Sequence, residues 1–146
     1  MVKQPVGSRS GRAEPAGPDE PWRKSPPPIG GERWALVVDD EPSIVDILAS
    51  LLEDLGWSVL PAGCAAEACT QARAHRVALV LCDVCLPWID GPTLVRRLRD
   101  ERLIDGTPVV MMSANARGGD QDGLTFLSKP FDLEDVERMV ERIAPA

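Results

Sequence analysis

The stretch Leu79–Gly91, LVLCDVCLPWIDG, constrains the fold more than any other part of the chain. A short apolar run stops at a carboxylate, Asp83, and the chain then turns through Pro87 and Asp90-Gly91. Apolar runs of this length, bounded by turn residues, suit a strand buried on both faces, as in a parallel sheet covered by helices. Asp83 is therefore expected where such a strand emerges, at the carboxyl edge of the sheet. Three other runs end in the same way: Trp34–Val38 at Asp39-Asp40, Pro108–Met112 at Ser113, and Leu124–Ser128 at Lys129. In open parallel α/β sheets the crevice outside the carboxyl ends of the strands is where ligands bind. The four runs deliver three carboxylates, a hydroxyl and an ammonium to one such edge.

Between the runs the pattern is helical. Pro42–Leu55 opens with proline at the favoured first position and lines up Ile44, Ile47, Leu48, Leu51, Leu52 and Leu55 on one face before Gly56. Trp57–Leu60 reads as the second strand, Cys64–His75 as an alanine-rich helix, Val77–Cys82 as the third strand and Pro92–Arg102 as a helix. Leu133–Ile143 is the last helix, with Asp132 at its N-cap and Asp135 at its third position. One join breaks the alternation. Ser113 and Leu124 are separated by ten residues, ANARGGDQDG, whereas a parallel crossover usually takes a dozen or more and a helix. A loop or at most one irregular turn is predicted where a fourth crossover helix is due.

Residues 1–32 hold seven of the fourteen prolines and five of the twelve glycines, with almost no apolar periodicity. Such a segment buries too little surface to offset its ordering entropy, so 1–32 is predicted to be a disordered tail and 33–146 the folded domain. No apolar run approaches the ~20 residues of a membrane span, and no signal peptide opens the chain, which leaves a cytoplasmic location and no membrane partner as the expectation. The chain's formal net charge is −7, with the tail at +1 and the remainder at −8. An acidic body excludes direct DNA binding as the expected role, because phosphate contacts require a basic patch. Cys64, Cys69, Cys82 and Cys85 lie in apolar or small-residue surroundings and read as small hydrophobes. Cys82 and Cys85 have a redox or zinc spacing, but no second such pair completes a site. His75 reads as a surface residue, Arg96, Arg97, Arg99 and Arg102 as a solvated helix face, and Trp88 as a shield over the edge or a partner contact.

Asp39, Asp40 and Asp83 cannot converge uncompensated. Two unit charges ~4 Å apart repel by about 4 kcal/mol at an effective dielectric of ~20, and several such pairs rival the roughly 5–15 kcal/mol that holds a domain together. A hard divalent cation is the natural counter-charge, and Mg²⁺ suits a site that keeps waters and a phosphate. One carboxylate then remains free to attack phosphorus, with Lys129 and Ser113 bonding the transferred oxygens. Lys129 is the only lysine after residue 24, and a compact ammonium suits a phosphate site.

With VVDDE, CDVCLPWIDG, MMSA and FLSKPF in this order, the stretch from about Trp34 to Ala144 resembles the receiver domain of two-component response regulators. The resemblance implies a flavodoxin-like, doubly wound sheet of five parallel strands in the order 2-1-3-4-5. It implies that Asp83 accepts a phosphoryl group from the phosphohistidine of a sensor histidine kinase or a histidine phosphotransfer protein. It further implies Mg²⁺ held by Asp40, Asp83 and the Cys85 main-chain carbonyl, with Asp39 reaching it through water, Lys129 as phosphate anchor, and Ser113 with Phe126 as a switch pair. The chain departs from the family pattern in the short join, which stands where a helix normally contributes to the output face. With nothing beyond the last helix, a stand-alone, non-enzymatic switch acting on a downstream protein target is expected, the 116–123 loop ordering on phosphorylation. Two alternatives stay open: an interaction module of the same fold that does not depend on phosphorylation, and an aspartyl-phosphate phosphatase.

Overall fold

Strand and helix alternate because each apolar run is too short to be anything but a strand and each amphipathic run long enough to cross back over it. The computed structural model describes residues 33–114, 120–121 and 124–145, with the backbone alone at 120–121. The expected tail, 1–32, and most of the glycine-rich 116–123 loop lie outside the described residues. In order, the elements are β1 (Trp34–Val38), α1 (Pro42–Asp54), β2 (Ser58–Ala62), α2 (Ala65–Ala74) and β3 (Val77–Asp83). They continue as α3 (Gly91–Asp100), β4 (Val109–Ser113), β5 (Asp120–Gln121), β6 (Leu124–Ser128) and α4 (Leu133–Ile143).

One sheet results, in the order β2-β1-β3-β4-β6-β5. Its five long strands are all parallel and run in the expected succession. The sequence pattern gives no sign of the far edge, where the dipeptide β5 pairs antiparallel with β6, Asp120 opposite Thr125 and Gln121 opposite Leu124. Among the described residues no helix lies between β4 and β6. A second boundary differs from expectation: β2 runs through Pro61 to Ala62, with Pro61 opposite Val37. Proline is tolerated there because β2 is an edge strand paired only with β1.

The helices fall on two faces. α1 and α4 cover one, burying Leu48, Leu52, Val136 and Val140 against Val37, Leu81 and Met112. α2 and α3 cover the other, burying Ala68, Ala72, Leu94 and Leu98 against Leu36, Val80, Cys82 and Met111. The first crossover runs from β1 to β2 on one side, and the next places β3 on β1's other side. Strand order thus reverses between β1 and β3, the place where doubly wound sheets open a crevice.

Two kinds of residue depart from the sequence reading. His75 is half-buried rather than free on the surface, its ring 4.4 Å from that of Trp34. Cys85 is exposed and Cys64 half-buried, while Cys69 and Cys82 are buried as expected, and all four are free thiols.

Candidate functional site

Parallel strands place their last residues on one edge, so Asp39, Asp83, Ser113 and Lys129 meet there although up to 90 residues apart in sequence. Asp39 follows β1 and is 1% exposed, Asp83 closes β3 at 8%, and Asp40 is exposed to solvent. The three acids bring one carboxylate oxygen each within 4.8 Å of one another. Lys129, immediately after β6, sets its Nζ 2.9 Å from Asp39 Oδ2 and 3.4 Å from Asp83 Oδ2. Its own main-chain N–H donates to the Ser113 carbonyl at 2.9 Å, and the Lys129–Pro130 peptide is cis.

Each buried acid is held by its backbone surroundings. The Glu41 N–H donates to Asp39 Oδ1 at 2.9 Å, so both Asp39 oxygens have partners. Asp83 Oδ1 lies 3.4 Å from the Cys85 N–H. Desolvation by burial, then the neighbouring Asp39 charge, hold the Asp83 carboxyl above its ordinary value, against the opposing pull of Lys129 and Cys85. Burial alone would lower the Lys129 ammonium, but the Asp39 hydrogen bond and the two carboxylate charges outweigh it and hold it above its usual value. Two acids sharing one ammonium leave a negative excess at the gap.

That excess is what a divalent cation would neutralise. The three carboxylate oxygens, within 4.8 Å of one another, are donors of the kind that Mg²⁺ takes. The donor set is all oxygen and fits a hard ion. The Cys82 thiol is buried and pushed up to about 12 by desolvation and then by Asp83, so it remains protonated and offers no thiolate.

The remaining expected residues are distributed as follows. Ser113 ends β4, half-buried, with its Cα opposite Ser128. Phe126 lies opposite Met111 in β6 and packs, half-buried, on the face of α2 and α3. Arg96, Arg97 and Arg102 are exposed, whereas Arg99 is half-buried and Arg102 lies past the end of α3 rather than on its face.

Sequence reasoning missed how the loop after Asp83 is closed. The Gly91 N–H donates to the Val84 carbonyl at 2.7 Å, and Asp90 caps α3 by accepting the Thr93 N–H at 2.8 Å. A Cβ on Gly91 would overlap the Asp83 carbonyl oxygen and would come within 2.5 Å of Met111 Cε. The Asp-Gly-Pro-Thr sequence carries the capping signal, but the close approach belongs to the tertiary structure. An open cavity of about 690 Å³ also adjoins Asp39 and Asp40, between α1 and the Gly63 turn, and Asp83 does not line it.

Comparison with known proteins gives this edge its family. Residues 35–141 match the response regulator receiver domain model. The response regulator Rre1 of Synechocystis is 36% identical over 115 residues, 74% of this chain and 50% of that protein. The chain thus spans half the length of that relative. Among solved structures, the receiver domain of the hybrid histidine kinase CckA shares 32% identity over 75% of this chain and 96% of its own, with a TM-score of 0.66. Chemotaxis protein CheY4 of Vibrio cholerae shares 26% over 77% and 99%, with a TM-score of 0.71. The chain belongs to the response regulator receiver family. Among the described residues no helix is long and apolar enough to cross a membrane.

Proposed function

We propose that this domain is a phosphoacceptor in a cytoplasmic two-component phosphorelay, a switch for protein contacts rather than a turnover enzyme. The observation that carries this reading is the gathering of Asp39, Asp40 and Asp83 within 4.8 Å, with Lys129 bridging two of them.

An Asp83 carboxylate oxygen attacks the phosphorus of a phosphohistidine on a histidine kinase or histidine phosphotransfer protein. The P–N bond breaks, its electron pair returns to the imidazole nitrogen, and that nitrogen takes up a proton. Asp39, Asp40, Asp83 and the Cys85 main-chain carbonyl would hold Mg²⁺, which supplies charge neutralisation for the phosphoryl oxygens. Lys129 exchanges its Asp83 contact for a phosphoryl oxygen while keeping Asp39, and Ser113 donates to a second oxygen. Adding a dianionic group at the strand edge draws the β4 end and its following loop inward, with Phe126 as the responding ring, and so reshapes the surface offered to a downstream protein.

Cys85 stands two residues after Asp83, where a phosphatase would need a general acid, which favours a persistent acyl phosphate over rapid turnover. The acidic body disfavours direct DNA contact by this domain. Incubation with phosphoramidate and Mg²⁺, followed by intact-mass measurement, tests the reading. One phosphoryl adduct, absent from Asp83→Asn and without added metal, is expected. Absence of an adduct from the unaltered protein, with no sustained hydrolysis of an aryl phosphate, would leave a phosphorylation-independent binding module.

A further inference from the structure

Trp88 stands apart from the other tryptophans of the described residues. Trp57 is 4% exposed beneath the Arg33 guanidinium, and Trp34 is half-buried against His75. Trp88 is 102% exposed, so its indole gains no packing from the described residues. Its φ is +73°, a left-handed conformation in which a bulky side chain is an outlier and which glycine adopts without cost. The loop that carries it is fastened at both ends beside the acceptor, by Gly91 to Val84 and by Asp90 to Thr93. A firmly tied loop therefore holds a large apolar ring in solvent, in a backbone conformation unfavourable for that ring. Among the described residues nothing offsets either cost.

We propose that Trp88 is a docking anchor for a histidine-phosphorylated protein donor, which seats the indole in an apolar slot with a basic rim. The proposal rests on the phosphoacceptor reading given above. A small phosphodonor needs only the gap between the carboxylates. A protein that delivers its phosphohistidine into that gap must lay surrounding surface over the Val84–Asp90 loop, where an exposed tryptophan supplies concentrated contact area. Apart from the metal-binding carboxylates, Glu41 and Asp90 are exposed on the edge from which the loop springs, so the complementary rim is cationic.

The test compares two donors on the full chain and on Trp88→Ala, Trp88→Gly and Trp88→Phe. The donors are phosphoramidate and a panel of histidine-kinase cores autophosphorylated with ATP. Labelling by phosphoramidate is expected to stay within twofold in all variants, and Trp88→Gly to melt no lower than the unaltered protein. For the core that serves the unaltered protein best, Trp88→Ala and Trp88→Gly should raise KM at least tenfold with kcat within threefold. Trp88→Phe should recover part of that loss, and added salt should weaken transfer in every variant. Equal KM values would overturn the proposal. So would a parallel loss with phosphoramidate, which marks a structural role, or transfer from no core to any variant while phosphoramidate labels all. Failure of phosphoramidate to label Asp83 in the unaltered protein would instead remove the phosphoacceptor reading, and this proposal with it.

Discussion

The two faces of the sheet are not covered alike. On the face of α1 and α4, helical cover reaches from β1 to β6: Leu48 and Leu52 close over the β1–β3 half, and Val136 and Val140 belong to the same core as Leu127. On the face of α2 and α3, Ala68, Ala72, Leu94 and Leu98 share a core with Val109 and Met111 of β4 and Leu124 of β6, while Phe126 on β6 remains half-buried. Among the described residues no crossover helix joins β4 to β6, and the ten residues between Ser113 and Leu124 are few for one. On this second face α3 begins at Gly91, packed against the Asp83 carbonyl.

This contrast can be broken by substitution. The largest effect is expected for Leu48→Ala, which empties a fully buried position on the well-covered face and should cost about 4 kcal/mol in urea unfolding. Phe126→Ala removes a bigger side chain from a half-buried position on the second face and should cost about 2 kcal/mol or less. Equal losses would mean that the second face is as tightly packed as the first. Gly91→Ala should cost about 2–3 kcal/mol, because the added methyl meets backbone that cannot retreat without moving Asp83. Its acceptor chemistry should fall with its stability, whereas Phe126→Ala should remain a competent acceptor.

A smaller effect comes from the charges at the edge. Because the folded state holds the Asp83 carboxyl above its ordinary value, it binds that proton more tightly than the unfolded chain does. The stability this gives is present at pH below about 4 and is lost as pH rises through the raised value. Metal-free protein should therefore lose Tm from pH 4 to pH 7 on this account, and Asp83→Asn should flatten that slope. Lys129, raised in turn, changes its contribution only in the alkaline range. Added Mg²⁺ at pH 7 should raise Tm for the unaltered protein more than for Asp83→Asn. The smallest effect belongs to Arg33→Ala on the well-covered face, where the guanidinium lies 4.0 Å from the Trp57 ring centroid and bonds the Ala144 and Pro145 carbonyls. About 0.5–1 kcal/mol is expected there.

Much of this architecture is legible in the order of the amino acids. Trp34–Val38, Leu124–Ser128 and Leu133–Ile143 read out at their observed boundaries, because apolar runs between turn residues and a capped amphipathic run leave little choice. The meeting of Asp39, Asp83 and Lys129 follows from topology alone, since parallel strands share one carboxyl edge. Other features depend on neighbours rather than on local pattern. Pro61 has the look of a strand end, and only the edge position of β2 admits it. His75 has the look of a solvated residue, since nothing near it in sequence announces Trp34 as its partner. β5 has two residues, below the reach of any periodicity. Asp90-Gly91 reads as a turn, while the structure adds the close approach that makes the missing side chain necessary. Trp88 stands out in sequence as an aromatic in a loop, but its positive φ cannot be read from residue type.

Reduction of the phosphoramidate-treated protein with borohydride, followed by peptide sequencing by mass spectrometry, addresses the acceptor most directly, because an aspartyl phosphate is converted to homoserine. Homoserine at position 83, and at no other aspartate, is the result expected if the gathered carboxylates and Lys129 form a phosphoacceptor. A phosphoryl adduct that yields homoserine elsewhere, or none at all, would contradict it.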